Sequence, residues 1–156
     1  MNKVLVLGIG NDILTDDGIG PKLVNDLKDS GFPGHVFFQT ACVGGLEILE
    51  LIQGFQKVIF IDAIITLEVP PGTVTHFNPG DFRETLHLSN LHDTNFLTAI
   101  EIGKKLKMNI PDEILIIAIE IVEDRTFSDR FTAEIGEKYP AIISVVKEMI
   151  FSSIDK

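Results

Sequence analysis

Val4-Leu5-Val6-Leu7-Gly8-Ile9-Gly10-Asn11-Asp12-Ile13-Leu14-Thr15-Asp16-Asp17-Gly18-Ile19-Gly20 is the stretch whose reading decides the fold. Val4 to Leu7 is a short, wholly apolar run, the pattern of a strand buried on both faces of a parallel sheet. Glycines then bracket a turn, and a helix follows from about residue 18 to 30. Pro21 is tolerated in the first turn of that helix, and Ile19, Leu23, Val24 and Leu27 give it an apolar face. Asp16 and Asp17 therefore stand at the carboxyl end of the first strand, where open α/β sheets place their ligands. Adjacent anions repel each other. The fold must reward them with a cation, a helix N-terminus or a proton-transfer step.

The same alternation continues along the chain. Val36-Phe37-Phe38-Gln39-Thr40 reads as a second strand. Gly44-Gly45 precedes a helix carrying Leu46, Ile48, Leu49 and Ile52, which Gly54 ends. Val58-Ile59-Phe60-Ile61 is the third buried strand and runs into Asp62-Ala63. Pro70-Pro71-Gly72 turns into an alternating strand, Thr73 to Phe77, suited to a sheet edge. Asn78 to Asn90 reads as a loop and Leu91 to Lys107 as a helix. Ile114 to Ile119 is the last central strand. Thr132 to Ile150 closes the chain as a helix, interrupted or started near Pro140. Strands alternating with helices predict one α/β domain over 1–156. Its sheet is twisted, five-stranded and mostly parallel, with helices on both faces.

Bulk composition narrows the function classes. The chain has 156 residues, 45% of them hydrophobic and 23% charged, as in a folded globular domain. A net charge of −10 repels phosphate backbones and argues against nucleic-acid binding. The single cysteine, Cys42, has no internal disulfide partner, so a cytoplasmic setting is expected. Cys42 is read as a small buried thiol. Met1 to Leu7 reads as a strand rather than a leader, and no run approaches the roughly 18 apolar residues of a membrane span.

Asp62 closes the third strand, and strands one and three are often neighbours in doubly wound sheets. Asp16, Asp17 and Asp62 then share one crevice. His92, in Leu88-Ser89-Asn90-Leu91-His92-Asp93, reaches that crevice if its helix packs back over the same edge. Two carboxylates and an imidazole suit a divalent transition metal with open positions. Each residue also has a plainer role. Asp17 can favour a helix N-terminus, Asp62 can cap a neighbouring helix, and His92 can be solvated near a helix start. His35, His76 and His87 are read as structural. Gly8-Ile9-Gly10 is a weak dinucleotide signal: the third glycine of that fingerprint falls at Ile13, and Gln39-Thr40 replace the ribose-binding acid. No Gly-x-Ser-x-Gly, Walker loop, His-Glu-x-x-His or Cys-x-x-Cys occurs.

Leu7-Gly8-Ile9-Gly10-Asn11, Leu14, Asp16-Asp17-Gly18 and Gly20 together resemble the amino-terminal signature of the hydrogenase maturation endopeptidases. Ile61-Asp62-Ala63, Leu88 to His92 and Ile119-Glu120 fall where that family places its further segments. The resemblance implies an endopeptidase that removes the carboxyl-terminal extension of a nickel–iron hydrogenase large-subunit precursor after nickel insertion. Nickel, delivered in the substrate, is the recognition element. Carried over by motif, the nickel-contacting residues are Asp17, Asp62 and His92, with Asp17 and Asp62 also the catalytic acids. Asp16 is a further acid that could activate water. Two departures stand out. The family often has glutamate at the position of Asp17. Thr40-Ala41-Cys42-Val43 replaces the family's Asp-Gly-Gly-Thr. The second departure leaves open another class: a non-catalytic, metal-dependent chaperone or binding protein for a metalloenzyme precursor.

Overall fold

β1 (Val4–Ile9) is buried at every position, as its unbroken apolar run requires. The computed structural model describes residues 2–42, 46–81, 85–88 and 96–156. Within them the chain runs β1, α1 (Ile19–Leu27), β2 (Val36–Ala41), α2 (Glu47–Ile52), β3 (Lys57–Ile64), β4 (Val74–Phe77), α3 (Phe96–Lys105), β5 (Glu113–Glu120) and α4 (Ala133–Ile154). A short 3-10 turn, Thr15–Gly18, links β1 to α1.

The five strands lie in the order β2-β1-β3-β5-β4. β1 pairs in parallel with β2 on one side and β3 on the other, and β3 pairs in parallel with β5. β4 alone runs antiparallel, on the outer side of β5. The adjacency of β1 and β3 puts Gly8 level with Ile61, so the turn after β1 lies beside Asp62.

Successive strand residues point to opposite faces, and each face has its own helices. Val4, Val6, Ile59, Ile61, Ile117 and Ile119 pack with α1 and with Ile135, Ile142, Val146 and Ile150 of α4. Leu5, Leu7, Val58, Phe60 and Ile116 pack with Ile48, Leu49 and Ile52 of α2 and with Phe96, Ala99 and Ile100 of α3. The Phe60 and Phe96 rings meet edge to face at 5.1 Å, worth about 0.5–1.5 kcal/mol beyond the area they bury.

One expectation is overturned, and another falls partly outside the described residues. α4 runs unbroken through Pro140, so the proline neither starts nor interrupts it. Its missing N–H removes one internal bond, and the apolar stripe from Ile135 to Ile150 outweighs that loss. α3 is described from Phe96, and residues 91–95 of the expected helix lie outside the described residues. Among the described residues no helix is long and apolar enough to cross a membrane.

Candidate active site

The glycines of the first turn are required by close backbone approach. A Cβ on Gly20 would stand 2.6 Å from the Ile61 carbonyl oxygen and 2.7 Å from that of Ile9. A Cβ on Gly10 would stand 2.1 Å from the carbonyl oxygen of Asp17. With glycine at both positions, the start of α1 rests directly on the backbones of β1 and β3. The Thr15–Gly18 turn is thereby pressed against the end of β1, and both aspartates are buried.

Asp16 is fully buried. Its Oδ1 accepts hydrogen bonds from the Thr132 backbone N–H at 2.8 Å and the Thr132 hydroxyl at 3.1 Å. Its Oδ2 accepts from the N–H of Val122 at 3.1 Å and of Glu123 at 3.4 Å, and from the Thr132 hydroxyl at 2.9 Å. Asp16 thus ties the β1–α1 turn to the connection between β5 and α4. Reciprocal backbone bonds reinforce the tie: Thr15 N–H donates to Ser128 O at 3.1 Å, and Ser128 N–H to Ile13 O at 2.9 Å.

Asp17 has a different set of partners. Its Oδ2 accepts from the Asn11 N–H at 3.0 Å and lies 3.2 Å from His87 Nε2. Its Oδ1 is buried and has no hydrogen-bond partner among the described residues. Asp62 is 0% exposed, and both its oxygens are occupied. Oδ1 accepts from the Ala63 N–H at 2.9 Å and from His87 Nδ1 at 2.8 Å. Oδ2 accepts from the backbone N–H groups of His87 at 2.9 Å and Leu88 at 3.3 Å. The His87 ring therefore bridges the two carboxylates. Burial by itself would lower its pKa. The contacts with Asp17 and Asp62, and their negative charges, outweigh burial and raise it to about 10. His87 is an imidazolium near neutral pH, and a single positive charge separates two acids that would otherwise repel.

Of the three acids predicted to share a crevice, Asp17 and Asp62 are both buried and joined by His87, whereas Asp16 is held instead by Val122, Glu123 and Thr132. His92 lies outside the described residues. Among the described residues no three His, Cys, Asp or Glu side chains converge to hold a metal ion. The orphaned Asp17 oxygen is the one feature there that favours an incoming cation. Cys42 is exposed just beyond β2, not the small buried thiol expected, because the chain leaves the sheet at Ala41. Glu120, at the end of β5, is buried. It accepts hydrogen bonds from the Thr66 N–H at 2.7 Å and the Thr66 hydroxyl, so it braces the loop after β3.

His87 is the residue that sequence reasoning passed over. It lies in an irregular segment, 85–88, with neither periodicity nor a strand-end position to mark it. That segment returns to β3 by a backbone bond from Leu86 N–H to Ala63 O at 3.0 Å, and Leu88 is buried with α2 and α3. The pattern that could have pointed to it is a histidine followed at once by a core leucine, in the loop already implicated by His92.

The hydrogenase maturation protease family model matches residues 21–149. That range begins just after Asp17 and takes in Asp62, His87 and His92. A curated relative, the hydrogenase 2 maturation protease of Escherichia coli strain K12, is 34% identical over 73 residues, which are 46% of this chain and 44% of the relative. The hydrogenase expression/formation protein HupD of Thiocapsa roseopersicina is 24% identical over 151 residues, 95% of this chain and 67% of the relative. Among solved structures, the hydrogenase maturating endopeptidase HybD from E. coli superposes with a TM-score of 0.76 at 21% identity, over 98% of this chain and 92% of that one. Its likeness concerns the fold. The matched stretch is less than half of the first relative's length, whereas the family model takes in most of this chain. The chain belongs to the hydrogenase maturation protease family.

Proposed function

We propose that this protein is an endopeptidase that removes the carboxyl-terminal extension of a nickel–iron hydrogenase large-subunit precursor after nickel has been inserted. The observation that carries this reading is the buried Asp17–Asp62 pair at the carboxyl edge of the sheet, with one Asp17 oxygen left without a donor among the described residues. In a member of this family, such a pair suits a cation that the substrate brings. Nickel is then part of the substrate and not a resident cofactor.

Asp17 and Asp62 are the side chains assigned to meet the precursor's nickel and to orient the scissile bond beside it. His92 is the third contact by family resemblance. Two carboxylates and an imidazole leave room in the coordination sphere for the precursor's own ligands. Hydrolysis also needs a water and a proton route. Asp16 is set aside as the base, since its oxygens already accept the N–H groups of Val122, Glu123 and Thr132. Asp62 is set aside on the same ground, since it accepts the N–H groups of Ala63, His87 and Leu88, and the choice falls on Asp17, whose Oδ1 has no donor among the described residues. The single cysteine and the absence of disulfide pairing favour a cytoplasmic setting.

The test is incubation of the purified protein with nickel-loaded precursor, read by mass spectrometry. A precursor shortened at its carboxyl terminus by the wild type, and left intact by Asp62→Ala, is the expected result. Tight binding with no shortened product would instead mark a non-catalytic maturation partner. The Thr40-Ala41-Cys42-Val43 departure from the family's Asp-Gly-Gly-Thr favours that second reading.

A further inference from the structure

The His87 ring occupies the gap between the two acids that the proposed function assigns to a cation. Asp17 Oδ2 and Asp62 Oδ1 each spend a lone pair on this one imidazole, at 3.2 Å and 2.8 Å. Asp62 Oδ2 is committed to backbone N–H groups. A cation that uses both carboxylates can meet Asp17 through its free Oδ1, but must take over Asp62 Oδ1, which His87 now holds. The remaining oxygen, Asp17 Oδ1, is buried on a side chain only 3% exposed and has no partner among the described residues.

The geometry also gives His87 a way to leave. Its backbone N–H is fixed on Asp62 Oδ2, Leu86 is fixed on Ala63 O, and Leu88 is buried in the core. The backbone around the ring is anchored at three successive residues. The ring itself is 20% exposed, so one side is open to solvent. Rotation about its first side-chain torsion, from one staggered position to another, moves the ring out while the backbone stays in place.

We propose that His87 is a specificity-determining residue that keeps free divalent cations off the Asp17–Asp62 pair and yields only to a cation presented with the precursor. This rests on the reading that the pair receives a cation from the substrate. A free ion offers only its own attraction to set against two imidazole contacts. An ion held on a docked polypeptide brings the binding energy of the whole interface. The selectivity resides in that difference, since an internal competitor lowers the affinity of every ligand that must displace it.

The experiment needs no precursor. Nickel(II) alone is titrated by calorimetry into the wild type, His87→Ala and His87→Ser. Both variants are expected to bind at least about tenfold more tightly than the wild type. Adding Asp17→Ala or Asp62→Ala to the His87→Ala background is expected to abolish the gain. Unchanged affinity in both variants overturns the proposal. Weaker binding also overturns it, and would make the imidazole a ligand in its own right. A gain that survives loss of either aspartate overturns it as well, by locating the ion elsewhere. If His87→Ala does not fold, His87→Ser carries the comparison with its own double variants. Failure of the precursor assay with wild-type protein would remove the proposed function and leave this titration result standing.

Discussion

Asp16 and Asp17 are adjacent in the chain and both buried, yet they serve different regions of the molecule. Asp16 looks toward the β5–α4 connection, and each of its oxygens receives donors from backbone or from Thr132. Asp17 looks toward β3 and His87, and one of its oxygens receives nothing among the described residues. The 3-10 turn makes this division. At about three residues per turn, neighbouring side chains point roughly 120° apart, so one short turn serves two sites. A carboxylate saturated by backbone donors is a tie between segments. One left short of donors is where a new ligand gains most.

The comparison breaks if the two residues respond alike to substitution. Asp17→Ala is expected to lower precursor processing by roughly 10²-fold or more, the scale seen when a group at a reacting centre is removed. Its urea midpoint should move less than that of Asp16→Ala. For Asp16→Ala the expected loss is about 3 kcal/mol in urea unfolding, because buried N–H groups of Val122 and Thr132 lose their acceptor. Equal destabilisation by the two substitutions would mean that the turn does not divide their roles.

The His87 bridge gives a pH signature to only one side of the comparison. Its folded pKa, raised to about 10, lies above the ordinary 6.5 of an unfolded histidine. The stability it contributes is therefore fully present below about pH 6.5 and is lost as pH rises through about 10. Unfolding free energies of wild type and His87→Ala, measured from pH 6 to pH 10.5, should converge at the alkaline end. A gap that stays constant over that range would deny the imidazolium bridge. The Asp16 side offers the smallest effect. Thr132→Val removes one hydroxyl from Asp16 and should cost about 1 kcal/mol, with processing of the precursor unchanged.

Much of the fold was legible because it follows from periodicity. The apolar runs at Val4–Leu7, Val58–Ile61 and Ile114–Ile119 can only be strands covered on both faces, and they are the three adjacent central strands. The edge position of β4 was legible from its alternation, whereas its antiparallel direction depends on pairing with β5 and leaves no local trace. Pro140 misled because a local rule was outweighed by the packing of a long helix. In the site, Asp17 and Asp62 were legible because strand ends in such sheets converge. His87 was not, since its position comes from where an irregular segment is pinned by Ala63 and by the burial of Leu88.

The amino-acid sequence alone determined the strand–helix alternation, the glycine turn after β1 and the two acids at neighbouring strand ends. These are local properties: apolar period, backbone freedom at glycine, and the carboxyl ends of adjacent parallel strands. Only the tertiary structure decided that Asp16 binds the start of α4 while Asp17 faces Asp62, and that His87 stands between them. Such contacts join residues 25 to 116 positions apart, as in His87–Asp62 and Thr132–Asp16. Their partners are chosen by how the packed layers bring distant segments together, which no short stretch of sequence encodes.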